Sequence, residues 1–229
     1  MGAAERARAL PWLALSAAAL SWGSSRLPAA EQAGFALTHA ALGRGELWRL
    51  WTGHLVHFSD AHLRGDLLAF VVWAALLERD SRPALWRILL VAPPLLSLAI
   101  LLGCARLGEY RGLSGLDCAL VVALIYRRGV ATERWRGVGW LCVAGFAAKC
   151  GYELWAGRAI LAPDLGADVK LLPLAHVLGA GLGLAVVALP EPPRARCFLS
   201  LRAQIAGDPV EHRSRRRSDD IAVGDDHAL

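Results

Sequence analysis

The sequence lacks the residue spacings that mark the common cysteine and zinc sites of proteins. It contains no Cys-x-x-Cys pair and no His-Glu-x-x-His string, so the zinc-ligand helix of many metalloproteases is absent. We therefore expect its cysteines to be small, buried apolar side chains, with neither a disulfide framework nor a metal cofactor. The five are Cys104, Cys118, Cys142, Cys150 and Cys197.

Charge is missing from long stretches of the chain. Of its 229 residues 55% are hydrophobic, and they gather in runs almost free of charged side chains. This pattern is typical of a polytopic membrane protein. The net charge of +5 does not indicate nucleic-acid binding, because no basic face is interleaved with aromatic residues.

Six apolar segments predict an all-α membrane protein with six transmembrane helices, since a helix satisfies its own backbone hydrogen bonds in lipid. An alternative for the first segment is a cleaved signal peptide, because Arg6 and Arg8 precede an alanine-rich core. We expect residues 1–190 to form the membrane domain and residues 191–229 a polar, disordered tail. The segments are residues 9–26, 61–78, 84–104, 113–126, 137–156 and 170–189.

The arginines predict the orientation of these spans. If the N-terminus is cytoplasmic, the inner loops and the tail hold about twice as many Arg and Lys residues as the outer loops. Both termini are then cytoplasmic, and residues 27–60 form a long external first loop. Its Trp48, Trp51 and Phe58 predict an element that lies partly among the lipid headgroups.

Ser114 lies in a Gly-Leu-Ser-Gly string at the outer start of the fourth segment. That segment is short for a span, which predicts that the chain before Gly112 dips into the protein and that the helix begins below the membrane surface. A helix N-terminus presents free N–H groups, so Ser114 is well placed to attack a carbonyl beside an oxyanion donor. The serine elbow of the α/β-hydrolases is not met, because residue 116 is Leu.

His176 lies inside the sixth segment, which runs in the same direction as the fourth. Ser114 and His176 can therefore reach the same depth, and an ionisable residue inside a span is a functional candidate. Gly179 and Gly183 have the Gly-x-x-x-Gly spacing of a tightly packed helix. We predict that His176 takes the Ser114 proton during peptide hydrolysis through an acyl-enzyme. The sequence places no Asp to orient His176, which favours a dyad.

His62 and Asp66 stand four residues apart at the outer start of the second segment, so they share one helix face. That face can point hydrogen-bond donors toward Ser114. A rival interpretation is a metal site formed by His54, His57, His62 and Asp66, although His54 and His57 fall on an aromatic loop.

The combined motifs resemble those of the rhomboid intramembrane serine proteases. They are Trp48-Arg49, the stretch from His57 to His62, Gly112-Leu113-Ser114-Gly115, and Ala175-His176 with Gly179. The resemblance implies a six-helix bundle, a Ser114–His176 dyad, a water-filled external cavity, and a substrate that is a membrane-anchored protein. It also implies that His62, with Asp66 and Gly112 beside it, belongs to the oxyanion site.

Two positions depart from the family pattern. Asp66 replaces the usual Asn, and an ionised carboxylate would repel an oxyanion, so we expect Asp66 to be protonated or to turn away and orient His62. Cys118 stands where many rhomboids have a Tyr that packs on the histidine.

The string from Tyr110 to Asp117 and the His62–Asp66 pairing are similar to the rhombosortase branch of the family. That branch implies removal of C-terminal GlyGly-CTERM anchors from exported proteins, at the outer side of a bacterial inner membrane. Lys149 and Glu153 also fit the branch. Their spacing predicts an ion pair on one face of the fifth segment.

Two other classes remain open. One is a catalytically silent rhomboid-like protein that binds or escorts membrane clients. The other is a small transporter that uses Asp117, Lys149 and Glu153 as an ion path, although the internal repeat of many transporters is absent.

Overall fold

The computed structural model describes residues 10–105, 107–156 and 173–189, and within them it is helical. The predicted all-α class is confirmed, since the described residues hold no strand beyond one isolated bridge between Leu37 and Tyr110. In chain order the helices are α1 (Trp12–Ser24), α2 (Ala29–Phe35), α3 (His39–Gly43), α4 (Arg49–Thr52), α5 (Asp60–Asp80), α6 (Arg82–Gly103), α7 (Ser114–Ile125), α8 (Arg136–Ala156) and α9 (Pro173–Ala188).

Each predicted span coincides with one of the longer helices: α1, α5, α6, α7, α8 or α9. Only α6, among the described residues, is both long enough and apolar enough to count as a membrane span by length and composition, and α9 is a shorter apolar helix. Helices therefore lie where the apolar segments were predicted, whereas their assignment as six membrane spans stays a prediction.

Serine caps fix the starts of α5 and α6. Ser59 Oγ accepts a hydrogen bond from His62 N at 3.2 Å, and Ser81 Oγ accepts one from Ala84 N at 3.3 Å. Such caps satisfy N–H groups that have no partner inside the helix. The Ser59 cap fixes where α5 begins and therefore the direction in which His62 and Asp66 project from it.

Two prolines inside α6 help to anchor the first loop. Pro94 has no N–H, so the carbonyl of Leu90 is left without its helical donor. Trp51 Nε1 donates to that oxygen at 3.1 Å. His54 Nε2 lies 3.2 Å from Pro93 O and 3.0 Å from Ser97 Oγ. The aromatic loop is therefore bound to the middle of α6.

The first loop contains α2, α3 and α4, which the sequence did not predict. Arg49 is buried, and its Nη1 donates to the carbonyls of Ala33 and Ala36, each at 2.7 Å. Leu47 and Trp48, beside it, are each more than half exposed. This exposed pair is consistent with the predicted interfacial element.

Helices α7 and α9 pack backbone to backbone. A Cβ on Gly179 would meet Gly115 O, and a Cβ on Gly183 would meet Ala119 O. The contact pairs rise together along both helices, so α7 and α9 run in the same direction. The predicted close packing and common direction are both confirmed.

Beyond α7 the chain continues as a π-helical turn over Tyr126–Val130. Gly129 in this turn approaches Gly139 of α8 so closely that neither position has room for a Cβ. Arg127 and Arg128 each place Nε 2.6 Å from an oxygen of Asp80 at the end of α5. This end of the bundle is therefore charged and lies opposite the start of α7.

The expectation for the cysteines was only partly correct. Cys118 and Cys150 are buried, but Cys104 is half-buried and Cys142 is exposed, and all four are free thiols. Cys142 faces outward because it lies on the side of α8 away from the core. The predictions for residues 1–9, 170–172 and 190–229, including the tail with Cys197, lie outside the described residues.

Candidate active site

The chain that leads into Ser114 is buried and non-helical. Tyr110, Gly112 and Leu113 are buried, and α7 begins at Ser114 itself. Gly112 has φ +120°, a conformation that L side chains rarely adopt. A Cβ there would also lie 2.9 Å from the His62 ring and 3.1 Å from Asp66 Oδ2. The predicted inward dip before the helix is confirmed, and Gly112 brings its backbone against His62.

One carboxylate oxygen lies at the start of α7. Asp66 Oδ2 accepts hydrogen bonds from Leu113 N at 2.9 Å and from Ser114 N at 3.1 Å. His62 Nε2 lies 3.2 Å from the same oxygen, as expected for the shared helix face. Asp66 thus contacts His62, as expected of a carboxylate that orients it, but it does not turn away from the start of α7, because the same oxygen accepts from the backbone donors. Those N–H groups have no helical acceptor, and Asp66 supplies one.

His57 is a further member of this cluster, which the sequence placed in the motif before α5 and in a rival metal site but not in the oxyanion site. Its Nε2 lies 3.3 Å from Asp66 Oδ2, and its ring stands edge-on to His62 at 5.0 Å. Burial lowers the pKa of His57, although the Asp66 carboxylate acts in the opposite direction. Burial therefore favours the neutral form of His57 beside Asp66. The sequence signal was its position in the loop just before α5.

His54 stands apart from this cluster. It is buried against α6, and burial lowers its pKa to about 4. Its Nε2 contacts Pro93 O and Ser97 Oγ, so it fastens the loop to the helix. The described residues contain no group of three or more side chains arranged to hold a metal ion.

His176 lies on α9 next to the crossing with α7. A Cβ on Gly115 would lie 3.2 Å from Ala175 O, and Gly179 meets Gly115 one helical turn further on. Ser114 and His176 therefore lie at the same level, as predicted. Among the described residues no hydrogen bond joins Ser114 Oγ to His176. In serine hydrolases such a hydrogen bond often forms only when substrate binds.

Glu153 of α8 fills a position for which the sequence suggested no group. It is fully buried, and its Oε2 lies 2.9 Å from His176 Nδ1. Lys149 Nζ lies 2.7 Å from the same oxygen, which confirms the predicted ion pair. The sequence-based expectation considered only an Asp as the group that orients His176 and therefore did not include Glu153. The available signal was the four-residue spacing of Lys149 and Glu153. No local sequence pattern shows that Glu153 also contacts His176 on α9.

Two further residues of α7 are buried beside the site. Asp117 is 8% exposed, and its Oδ1 has no hydrogen-bond partner among the described residues. Cys118 is also buried.

A cavity of about 200 Å³ opens near His57. Neither Ser114 nor His176 is among its lining residues, and of the Asp66 cluster only His57 lines it. The lining residues are Ser25, Ala29, Gln32, His57, Phe58, Ser59, Asp60 and Arg111.

Comparison with known proteins gives one family. A model described as the Rhomboid domain matches residues 44–190, which is more than half of the chain and includes every residue of the cluster described above. No curated protein matches the chain.

Proposed function

Since the chain belongs to the rhomboid family of intramembrane serine proteases, we propose that it is an active endopeptidase with Ser114 as nucleophile and His176 as general base. Members of this family are integral membrane proteins that act on membrane protein substrates within the bilayer. These two residues lie at the same level of the crossing between α7 and α9.

The observation that carries the proposal is the convergence of donors on one oxygen. Leu113 N, Ser114 N and His62 Nε2 all lie within 3.2 Å of Asp66 Oδ2. A carboxylate oxygen resembles the oxyanion of a tetrahedral intermediate in charge and in its demand for donors. This convergence supports an oxyanion hole formed by the same donors at the start of α7, with Asp66 Oδ2 in the position that we assign to the substrate oxygen.

The reaction follows from these positions. His176 Nε2 takes the Ser114 proton as Oγ attacks the substrate carbonyl carbon. The Ser114 N–H and His62 stabilise the oxyanion after its oxygen displaces Asp66 Oδ2. The proton on Nε2 then passes to the leaving amine as the peptide bond breaks. Water activated by His176 releases the acyl group in the second half of the reaction.

For the substrate we propose the C-terminal membrane anchor of an exported protein. The resemblance to the rhombosortase branch points to anchors of the GlyGly-CTERM type. The string from Tyr110 to Asp117 and the His62–Asp66 pair support this choice. The enzyme would then work in a bacterial inner membrane, with both termini cytoplasmic and Ser114 toward the outer side.

The test is cleavage of a co-expressed anchored substrate by the wild type, Ser114→Ala and a control, Ser21→Ala. Ser21 of α1 is a buried serine whose Oγ donates to Leu55 O in the first loop, away from α7. We expect Ser114→Ala to remain in the membrane and to cleave nothing, while Ser21→Ala cleaves the substrate.

A fluorophosphonate probe provides a second readout that needs no substrate. It should modify Ser114 in the wild type and not in the His176→Ala variant. Cleavage by Ser114→Ala would disprove the assignment of the nucleophile. A folded wild type that neither cleaves nor reacts with the probe would instead be the client-binding protein that lacks catalysis.

A further inference from the structure

Among the described residues, the buried carboxylate of Glu153 contacts side chains on two different helices. Its Oε2 lies 2.7 Å from Lys149 Nζ on α8 and 2.9 Å from His176 Nδ1 on α9. The Glu153 side chain is 1% exposed and that of Lys149 is 21% exposed. The cation therefore reaches toward the protein surface, whereas the carboxylate faces inward to the histidine.

Burial of a carboxylate is costly unless it is paired and hydrogen-bonded. Lys149 alone, four residues earlier on the same helix, would supply the charge partner. It would not require Glu153 to reach across to α9. The contact with His176 is thus a separate feature that a local ion pair does not explain.

The contact has a consequence for the histidine ring. Ionised carboxylates only accept hydrogen bonds, so the His176 nitrogen beside Glu153 must carry a proton. Neutral imidazole then has its lone pair on Nε2, the nitrogen that a base needs in order to deprotonate Ser114. Lys149 helps to keep Glu153 ionised and therefore able to accept.

We propose that Glu153 is a positioning residue that holds His176 with Nδ1 protonated and Nε2 available to Ser114, so that the site works as a Ser–His–Glu unit. This inference rests on the proposed protease function. The Ser114 proton moves to Nε2 and later to the leaving amine, while the Nδ1 proton stays in its hydrogen bond. Glu153 remains ionised throughout and stabilises the imidazolium that forms between the two transfers.

The first experiment compares Glu153→Gln, Glu153→Asp and Glu78→Gln in cleavage of the anchored substrate. A Gln amide can donate to Nδ1 and so favour the wrong tautomer. We expect Glu153→Gln to lower kcat by up to about 10⁴-fold, the loss seen when the orienting carboxylate of a serine protease triad is replaced by an amide, with little change in KM. Glu153→Asp keeps the carboxylate on a shorter arm and should recover part of that loss.

Glu78 is the matched control, because it is also a buried glutamate paired with a cation four residues away on the chain. Its partner is Arg82 at 2.9 Å, and its Oε2 accepts from Ala14 N. Glu78→Gln should lower thermal stability without a comparable fall in kcat. Equal kcat losses at Glu78 and Glu153, or unchanged kcat in a folded Glu153→Gln, would reduce Glu153 to a structural residue.

The second experiment needs neither activity nor a stable variant. In detergent, NMR of the ¹⁵N-histidine-labelled wild type should show the His176 ring protonated at Nδ1, with that proton in a strong hydrogen bond. A ring protonated only at Nε2 would overturn the inference. Because Ser114→Ala and the fluorophosphonate probe test the proposed function separately, an active serine with an Nε2-protonated His176 would reject Glu153 alone.

Discussion

At the residue scale, Asp66 differs most from its sequence-based expectation. The sequence suggested a protonated or averted side chain, since a carboxylate repels an oxyanion. In the structure its Oδ2 accepts from Leu113 N and Ser114 N, with two imidazoles close by. The pattern of one helix could not predict these contacts of Asp66. Its partners come from the loop before α5, from α5 itself, and from the start of α7 with the residue before it. Under the proposed function, Asp66 Oδ2 occupies the oxyanion position until a substrate oxygen displaces it.

Asp66→Asn therefore has two opposite expected effects. The amide loses the charge-assisted bonds, so we expect stability to fall by about 1–3 kcal/mol. A neutral side chain is also easier for a substrate oxygen to displace, and its N–H₂ can donate to the oxyanion. The rate of Ser114 modification by a fluorophosphonate should therefore rise above that of the wild type. Thermal unfolding and probe labelling measure the two effects.

Asp60→Asn is the control for this change. Asp60 lies on the same helix, but its side chain is 60% exposed and pairs with Arg26, so neither stability nor labelling should change appreciably. If Asp66→Asn stays folded and its labelling falls tenfold or more, the carboxylate itself aids the reaction, for instance by orienting His62. The displacement argument would then be wrong.

At the element scale, the crossing of α7 and α9 is where the sequence was most informative. Gly179 and Gly183 predicted close packing, and both lie against backbone atoms of α7. The short fourth segment predicted a helix that begins late, and α7 begins at Ser114. Helices α2 to α4 and the π-helical turn after Ile125 were not predicted. They depend on tertiary contacts such as Arg49 with Ala33 and Gly129 with Gly139.

The glycines of α9 provide a matched pair for this crossing. In Gly179→Ala the new Cβ would meet the Gly115 backbone, which cannot move without separating α9 from α7. We expect a loss of about 1–3 kcal/mol in stability and a large loss of probe labelling, because Ser114 and His176 lie at that level. A Cβ on Gly181 meets nothing within 4 Å, so Gly181→Ala should not lower stability, and the helix propensity of alanine should raise it by up to about 1 kcal/mol.

Thermal unfolding in detergent measures the stability of the two alanine variants, and fluorophosphonate labelling measures the reactivity of Ser114 in each. Gly181→Ala also controls for the higher helix propensity of alanine, which both changes share. Similar behaviour of the two variants would show that the close approach at Gly179 does not hold the active site together.

At the scale of the whole molecule, the polar groups gather at two ends. The start of α7 carries the histidines, Asp66 and Arg111, and the far end carries Asp80 with Arg127 and Arg128. Several helices between these ends are too short or too highly charged to be recognised as membrane spans from length and composition. Much of that charge is neutralised by internal pairs such as Lys149–Glu153, which a count of charged residues does not register.

The arginine bias predicts which end faces the cytoplasm, and two exposed arginines allow a direct test. Arg44 in the first loop has a side chain that is 60% exposed, and that of Arg128 at the far end is 64% exposed. Each can be replaced by cysteine in the full chain after the native cysteines are changed to alanine. Arg44→Cys should react with a membrane-impermeant maleimide in intact spheroplasts. Arg128→Cys should react only after the membrane is opened, because the arginine-rich end lies inside.

The reverse labelling pattern would place Ser114 on the cytoplasmic side. A serine protease there could not meet exported proteins at their outer anchor junction, so the anchor-removal role would fail while the chemistry of Ser114 and His176 could stand. Labelling of both cysteines in intact spheroplasts would mean that the two polar ends are not separated by the bilayer. The six-span topology would then have to be abandoned, since it requires an odd number of crossings between the first loop and the turn after α7.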